Sequence, residues 1–129
     1  MAQFRPNIVV NHCDAFAEDT WQHIRIGEVE FEIPKACSRC IFTTVNPETG
    51  EQHRQQEPLN TLKNYRQLAN GDILFGQNLI ALNQGQIKRG DNVEIIKRKA
   101  APVFAINNKS ANNASNSDTN TTTKKEPTL

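Results

Sequence analysis

The chain has 129 residues, a mass of 14.5 kDa and a net charge of +1, with 36% hydrophobic residues and a mean hydropathy of −0.64. One domain is expected at this length; no apolar run approaches the ~20 residues of a membrane span, and Met1–Pro6 has no apolar stretch of the kind a signal peptide needs, so a cytoplasmic protein is expected. Residues 1–99 hold 12 Lys and Arg against 12 Asp and Glu, a balance that gives no sequence-independent grip on nucleic acid.

Asn7–Val10 is a short β-branched run and the first strand candidate. Ile24-Arg25-Ile26 and Val29–Ile33 follow, separated by Gly27-Glu28. The second of these alternates strictly, with Val29, Phe31 and Ile33 on one face and Glu28, Glu30 and Glu32 on the other, the period of a strand with one wet side. Gly27-Glu28 predicts a tight hairpin of the Gly-X kind. Pro34 is expected to end the strand, because it has no N–H for the ladder. A loop over Lys35–Arg39 and a further strand over Ile41–Val45 are expected next, then a turn at Asn46–Gly50.

Pro58 suits the first turn of a helix. Leu59, Leu62, Tyr65 or Arg66, and Leu68 keep helical spacing, which predicts a helix at about 58–69 before the stop Asn70-Gly71-Asp72. Ile73–Phe75, Leu79–Leu82, a short piece at Ile87 and Val93–Ile96 complete a set of short strands. The fold class is therefore mainly β, a partly open barrel or sandwich with one short helix. Trp21, Phe31, Phe42 and Phe75 are expected in its core. Residues 1–99 form the domain. From residue 100 onward periodicity is lost, and 14 of residues 107–129 are Asn, Ser or Thr, so a disordered tail or linker is expected over 100–129. Its three Asn-x-Ser/Thr sequons, at Asn108, Asn113 and Asn120, count for nothing without secretion.

The chemistry concentrates in Cys37-Ser38-Arg39-Cys40. Two thiols flank a guanidinium, and a nearby cation favours the thiolate, which is a nucleophile or a soft-metal ligand. The spacing alone leaves three readings open. A zinc site needs four ligands, and Cys13, His12, His23 and His53 stand at no recognised spacing. A redox dithiol lacks the βαβ setting that usually carries one. The cysteines also suit plain packing as small hydrophobes.

Phe4-Arg5-Pro6-Asn7-Ile8-Val9-Val10, Ala17–Trp21, Ile26–Val29, Cys37–Val45, Pro47–Gly50, Glu57–Leu59, Phe75–Asn78 and Arg89-Gly90-Asp91 occur in this order. Together they resemble the C-terminal half of the MOSC domain, named for the molybdenum cofactor sulfurase C-terminus. The pattern is most similar to bacterial MOSC proteins with an appended ferredoxin and to the mitochondrial amidoxime-reducing component. It covers about residues 3–97.

The resemblance implies a barrel-like domain that holds a molybdenum–molybdopterin cofactor, not needed for folding, in an oxidoreductase acting on N-hydroxylated compounds. It implies Cys40 as the thiolate on molybdenum and the catalytic position, with Cys37 structural. Ser38 and Arg39 match positions lining the pterin, Arg5 and Asn7 match positions at its polar and phosphate ends, and Asn78 matches the pocket edge. It also implies two partners, an N-terminal β-barrel part of the parent protein and a ferredoxin-type electron donor. This sequence begins at the Phe-Arg-Pro-Asn segment, so several family contacts to the cofactor fall outside it and the pocket is expected to be incomplete alone. A different class of function also follows from the resemblance: a sulfur carrier, with a persulfide on Cys40, or a redox module linked to a pyridoxal-phosphate desulfurase. Pyridoxal phosphate in this chain itself would need a Schiff-base lysine, and Lys35 is the only lysine near the motif.

Overall fold

The computed structural model describes residues 1–105 and 127–129. Four antiparallel strands make one open sheet: β1 (Trp21–Ile26), β2 (Val29–Arg39), β3 (Ile73–Ala81) and β4 (Val93–Arg98), in the order β3-β2-β1-β4. Among the described residues one helix, α1 (Leu59–Arg66), and three 3-10 turns, at Ala2–Phe4, Ala17–Thr20 and Ile41–Thr44, complete it. The fold is mainly β as expected, and the sheet does not close into a barrel.

The Val29–Ile33 alternation holds. Val29, Phe31 and Ile33 join Trp21, Ile24, Ile26 and Val93 in one buried cluster. On the opposite face of the sheet His23 Nε2 meets Glu30 at 3.0 Å, and Arg25 pairs with Glu94. The β1–β2 hairpin is the predicted Gly-X turn, with Ile26 paired to Val29 and Gly27 at φ +55°. A side chain at Gly27 would also displace the Asp91 carboxylate, because its Cβ would stand 2.6 Å from Asp91 Oδ2.

Other boundaries move, each for a visible reason. Pro34 does not end β2. The register steps between Glu32↔Ile80 and Lys35↔Asn78, so Ile33 and Pro34 together face Leu79, a bulge in which a missing N–H costs no ladder bond. The expected Lys35–Arg39 loop is therefore strand. A second bulge merges the two expected strands Ile73–Phe75 and Leu79–Leu82 into β3. Between Ala36↔Gln77 and Ser38↔Leu74, Phe75 and Gly76 face Cys37 alone, and Gly76 takes φ +80°.

Ile41–Thr44 is a 3-10 turn instead of a strand. Thr43 Oγ1 donates to Cys40 O at 2.9 Å and Thr44 Oγ1 to Ile41 O at 2.6 Å, local bonds that compete with a ladder. This turn buries Thr43 and Thr44 and leaves Phe42 78% exposed, so Phe42 is not a core residue. Asn7–Val10 joins no strand, with a bend at Asn7, and Ile87 likewise lies in a loop. α1 ends at Arg66, before Leu68, because Gln67 turns into the extended region and bridges Ile73.

Of the expected tail, residues 106–126 and all three sequons lie outside the described residues. Its two described ends touch the body. Ala105 N–H donates to Gln67 O at 2.8 Å, and Thr128 bridges both Asn11 and Asn92.

Candidate functional site

β2 ends in the Cys37–Cys40 motif, and the polypeptide around it forms two hollows. The first, a cleft of about 500 Å³, is lined by Phe4, Arg5, Ser38, Arg39, Cys40 and Phe42 among others. The second, of about 540 Å³, lies between the N-terminal segment and the core face of the sheet. Its lining includes Arg5, Asn7, Cys37, Arg39 and Asn78. Four of the sequence-predicted residues, Arg5, Ser38, Arg39 and Cys40, thus share the first cleft. Asn7 and Asn78 line only the second. Arg5 and Arg39 belong to both and form the wall between them.

Cys40 is exposed, whereas Cys37 and Cys13 are half-buried. Cys40 follows the last residue of β2 and precedes the 3-10 turn at Ile41–Thr44, in extended backbone at φ −124°. Its carbonyl accepts both Thr43 N–H, at 3.1 Å, and Thr43 Oγ1. The sulfur therefore hangs in open space from a main chain that is pinned on both sides. Cys37, expected in a loop, is instead a strand residue opposite the Phe75–Gly76 bulge. The two cysteines line different cavities, which argues against their working as one dithiol.

Arg39 owes its position to that bulge. Its Nε donates to Phe75 O at 2.7 Å, its Nη1 reaches Phe4 O at 3.5 Å, and its guanidinium lies 5.3 Å from the centre of the Phe4 ring. Phe4 in turn stacks on Phe75, with ring centroids 4.2 Å apart. A Cβ on Gly76 would come within 3.2 Å of Arg39 Nη2, so a side chain there would press on the guanidinium as well as strain the backbone at φ +80°. Two further polar atoms belong to residues lining the second cavity. Trp21 Nε1 and Gln77 Oε1 are buried without a hydrogen-bond partner among the described residues.

Sequence reasoning missed one polar centre altogether. Arg66 and Asp19, 3% and 4% exposed, form a two-pronged pair at 2.6 and 3.0 Å. Arg66 Nε donates to Leu74 O at 2.9 Å, and its guanidinium lies 4.2 Å from the Phe16 ring centre and 4.3 Å from that of Phe104. Gln77 Nε2 donates to Asp19 Oδ1 at 2.9 Å. The signal available was a charge on the apolar stripe of α1: where Tyr65 and Arg66 compete for the inner position, Arg66 takes it and Tyr65 stays 47% exposed. Beside this pair, burial pushes the Glu18 carboxyl above its ordinary value, with Asp19 adding to the shift and Arg66 opposing it. Burial also raises the Cys13 thiol, helped by Glu18 and Asp14.

Among the described residues no group of three or more His, Cys, Asp or Glu is placed to hold a metal ion, and no helix is long and apolar enough to cross a membrane. A protein-only zinc site is thus not formed there. A metal in the first cleft would take one protein sulfur and bring its remaining ligands with it.

The model of the MOSC domain matches residues 1–94. Human mitochondrial amidoxime-reducing component 1 is 50% identical over 100 residues, covering 72% of this chain and 29% of the relative. The zebrafish (Danio rerio) component 1 is 66% identical over 64 residues, covering 50% of the chain and 19% of the relative. Human mitochondrial amidoxime reducing component 2 is 48% identical over 100 residues, covering 72% and 30%. The chain spans under a third of the length of these relatives. With a family model covering most of its length and Cys40, Arg39, Ser38 and Arg5 gathered on one cleft, the chain belongs to the MOSC domain family.

Proposed function

We propose that the chain forms part of a molybdenum–molybdopterin pocket in an oxidoreductase that reduces N-hydroxylated compounds. The observation that carries this is the convergence of an exposed thiol, Cys40, with Arg39, Arg5 and Ser38 on one open cleft. The residues fit such a group. A lone thiolate suits a soft metal that arrives with its own organic sulfur ligands. The side chains of Arg5, Asn7, Ser38 and Asn78 make no hydrogen bond among the described residues, and so remain free for a ligand rich in donors and acceptors. The orphaned Trp21 Nε1 and Gln77 Oε1 are a buried donor and acceptor of the kind a polar ligand satisfies.

In this reading Cys40 holds the metal. Arg39 gives one N–H from Nε and one from Nη1 to carbonyls, so three N–H donors on Nη1 and Nη2 are left that would serve the pterin. Arg5 takes the anionic end of the cofactor through its planar fork. Asn7, Ser38 and Asn78 orient the pterin edges by giving and accepting hydrogen bonds. Bound there, the cofactor would supply the two-electron exchange, and the protein would hold and orient it. The net conversion takes N–OH, two electrons and two protons to N–H and water. The electrons come from a ferredoxin-type donor, and the N-terminal β-barrel part of the parent protein completes the pocket.

The test is a chimera in which the whole chain, residues 1–129, replaces the matching stretch of human amidoxime-reducing component 1. It is expected to retain molybdenum and to reduce an amidoxime, with both lost on Cys40→Ser and retained on Cys37→Ser. Molybdenum retained unchanged in the Cys40→Ser chimera refutes the assignment. A sulfur adduct on Cys40, with no molybdenum in a folded chimera, supports the sulfur-carrier alternative instead.

A further inference from the structure

We propose that Pro127–Leu129 is a strap that seats the Arg5–Asn11 segment against the sheet. Its effect on that segment stands alone; its effect on cofactor contacts rests on the function proposed above. The segment carries Arg5 and Asn7, and it is anchored at its two ends. At the front, Phe4 stacks on Phe75, Arg5 N–H donates to Ala2 O at 3.1 Å, and Arg39 reaches Phe4 O. At the rear, Asn11 N–H donates to Thr128 O at 2.5 Å and receives Thr128 N–H on its carbonyl at 3.0 Å. Between these anchors, Pro6 to Val10 make no backbone–backbone hydrogen bond among the described residues. The Ile8 and Val10 side chains, packed on the core cluster, hold the middle.

The strap reaches the body on its other side as well. Val93 N–H donates to Pro127 O at 2.9 Å and Leu129 N–H to Asp91 O at 3.1 Å, while Leu129 packs against the same core cluster as Ile8 and Val10. Thr128 is thus a short antiparallel insert bridged to Asn11 on one side and to Asn92 on the other. It ties the N-terminal segment to the start of β4, which that segment does not pair with directly. An extended peptide joined by main-chain bonds, with one apolar side chain seated, is the recognition mode of strand addition, here filled by the chain's own residues.

Without the strap, the Asn11 and Val93 N–H groups lose the acceptors they have here, and the rear anchor is gone. A segment of seven residues held at one end and by two side chains recovers much of its conformational freedom. Asn7, beyond the front anchor, then no longer keeps a fixed place in the wall of the second cavity.

The experiment is amide hydrogen exchange, followed by NMR, on three proteins: the full chain, a chain ending at Glu126, and Leu129→Ser. In the chain ending at Glu126, Asn11 and Val93 are expected to exchange at least about tenfold faster, the change that losing two main-chain bonds gives. The Ile24 and Phe31 amides in the middle of the sheet are expected to keep their rates, and synthetic Lys-Glu-Pro-Thr-Leu added in trans to restore protection at Asn11. Unchanged rates at Asn11 and Val93 overturn the strap. Should the truncation unfold the whole sheet, Leu129→Ser decides, because it keeps all four main-chain bonds and loses only the packing. Faster exchange at Asn11 than at Ile24, relative to the full chain, upholds the strap, and equal acceleration at both overturns it. Loss of molybdenum from the unmutated chimera would refute the function and leave this result standing.

Discussion

Arg66→Met is expected to be strongly destabilising. The substitution keeps an unbranched, polarizable side chain between the Phe16 and Phe104 rings but removes the guanidinium. Both members of the pair are at least 96% buried, so Asp19 would be left with Gln77 Nε2 as its remaining side-chain donor. Leu74 O would lose the Arg66 Nε–H as well. Removing one partner of a buried ion pair costs about 3–5 kcal/mol, because the other charge stays desolvated. For a folded unit of this size each kcal/mol is worth roughly 4–8 °C, so the melting temperature should fall by about 12–40 °C. Circular dichroism melts of the wild type, Arg66→Met, Asp19→Asn and the double variant check this. The double variant removes the stranded charge, so it should be more stable than the sum of the two single losses predicts, by about 2 kcal/mol. A loss under about 1 kcal/mol in Arg66→Met, or strict additivity in the double variant, would refute the reasoning.

The three thiols should differ in reactivity. Alkylation at neutral pH should modify Cys40 first and Cys13 last, because Cys40 is exposed while burial and the nearby carboxylates hold the Cys13 thiol protonated; peptide mass mapping over time gives the order, and early modification of Cys13 would contradict it. Glu18 should make the protein less stable as pH rises. Its carboxyl titrates higher in the folded chain than in the unfolded one, so between the ordinary glutamate value of about 4.5 and the raised one the folded state binds more protons and stability falls. Glu18→Gln should remove that fall and be more stable than the wild type at pH 7, as read by urea unfolding across the pH range; an unchanged pH profile would count against the shift.

The parts of the fold that sequence revealed are those governed by neighbours along the chain. Val29–Ile33 alternates because a single pleated strand with one wet face demands it, and Gly27 marks the hairpin because the turn needs positive φ at one position. What stayed hidden depends on what lies across the sheet. Pro34 and Gly76 are strand breakers by local rule, yet each sits in a bulge where the partner strand absorbs the fault. Two threonines turned Ile41–Thr44 from the strand its β-branched composition suggests into a 3-10 turn, by bonding back to carbonyls three residues earlier. Asp19 and Arg66, 47 positions apart, carry no mutual signal in one sequence.

The same division runs through the site. Arg5, Ser38, Arg39 and Cys40 were found by their ordered motifs, and they do meet. Asn7 and Asn78 came with the same motifs but line the second cavity only. Arg39 explains why the two hollows are distinct and adjacent. The Phe75–Gly76 bulge leaves Phe75 O free to accept its Nε, the bare Gly76 gives its Nη2 room, and Phe4 covers it from the N-terminal side. Held on three sides, the guanidinium becomes a partition. The thiol of Cys40 lies on one side of it and the core-facing cavity with Cys37 on the other. Lysine, with one ammonium on a flexible stem, cannot meet the Phe75 and Phe4 carbonyls and also present a donor toward Gly76 in a fixed plane. The motif therefore needs arginine between its cysteines for a structural reason: the guanidinium fixed by Phe75, Gly76 and Phe4 is also the wall that gives the Cys40 thiol a cleft of its own.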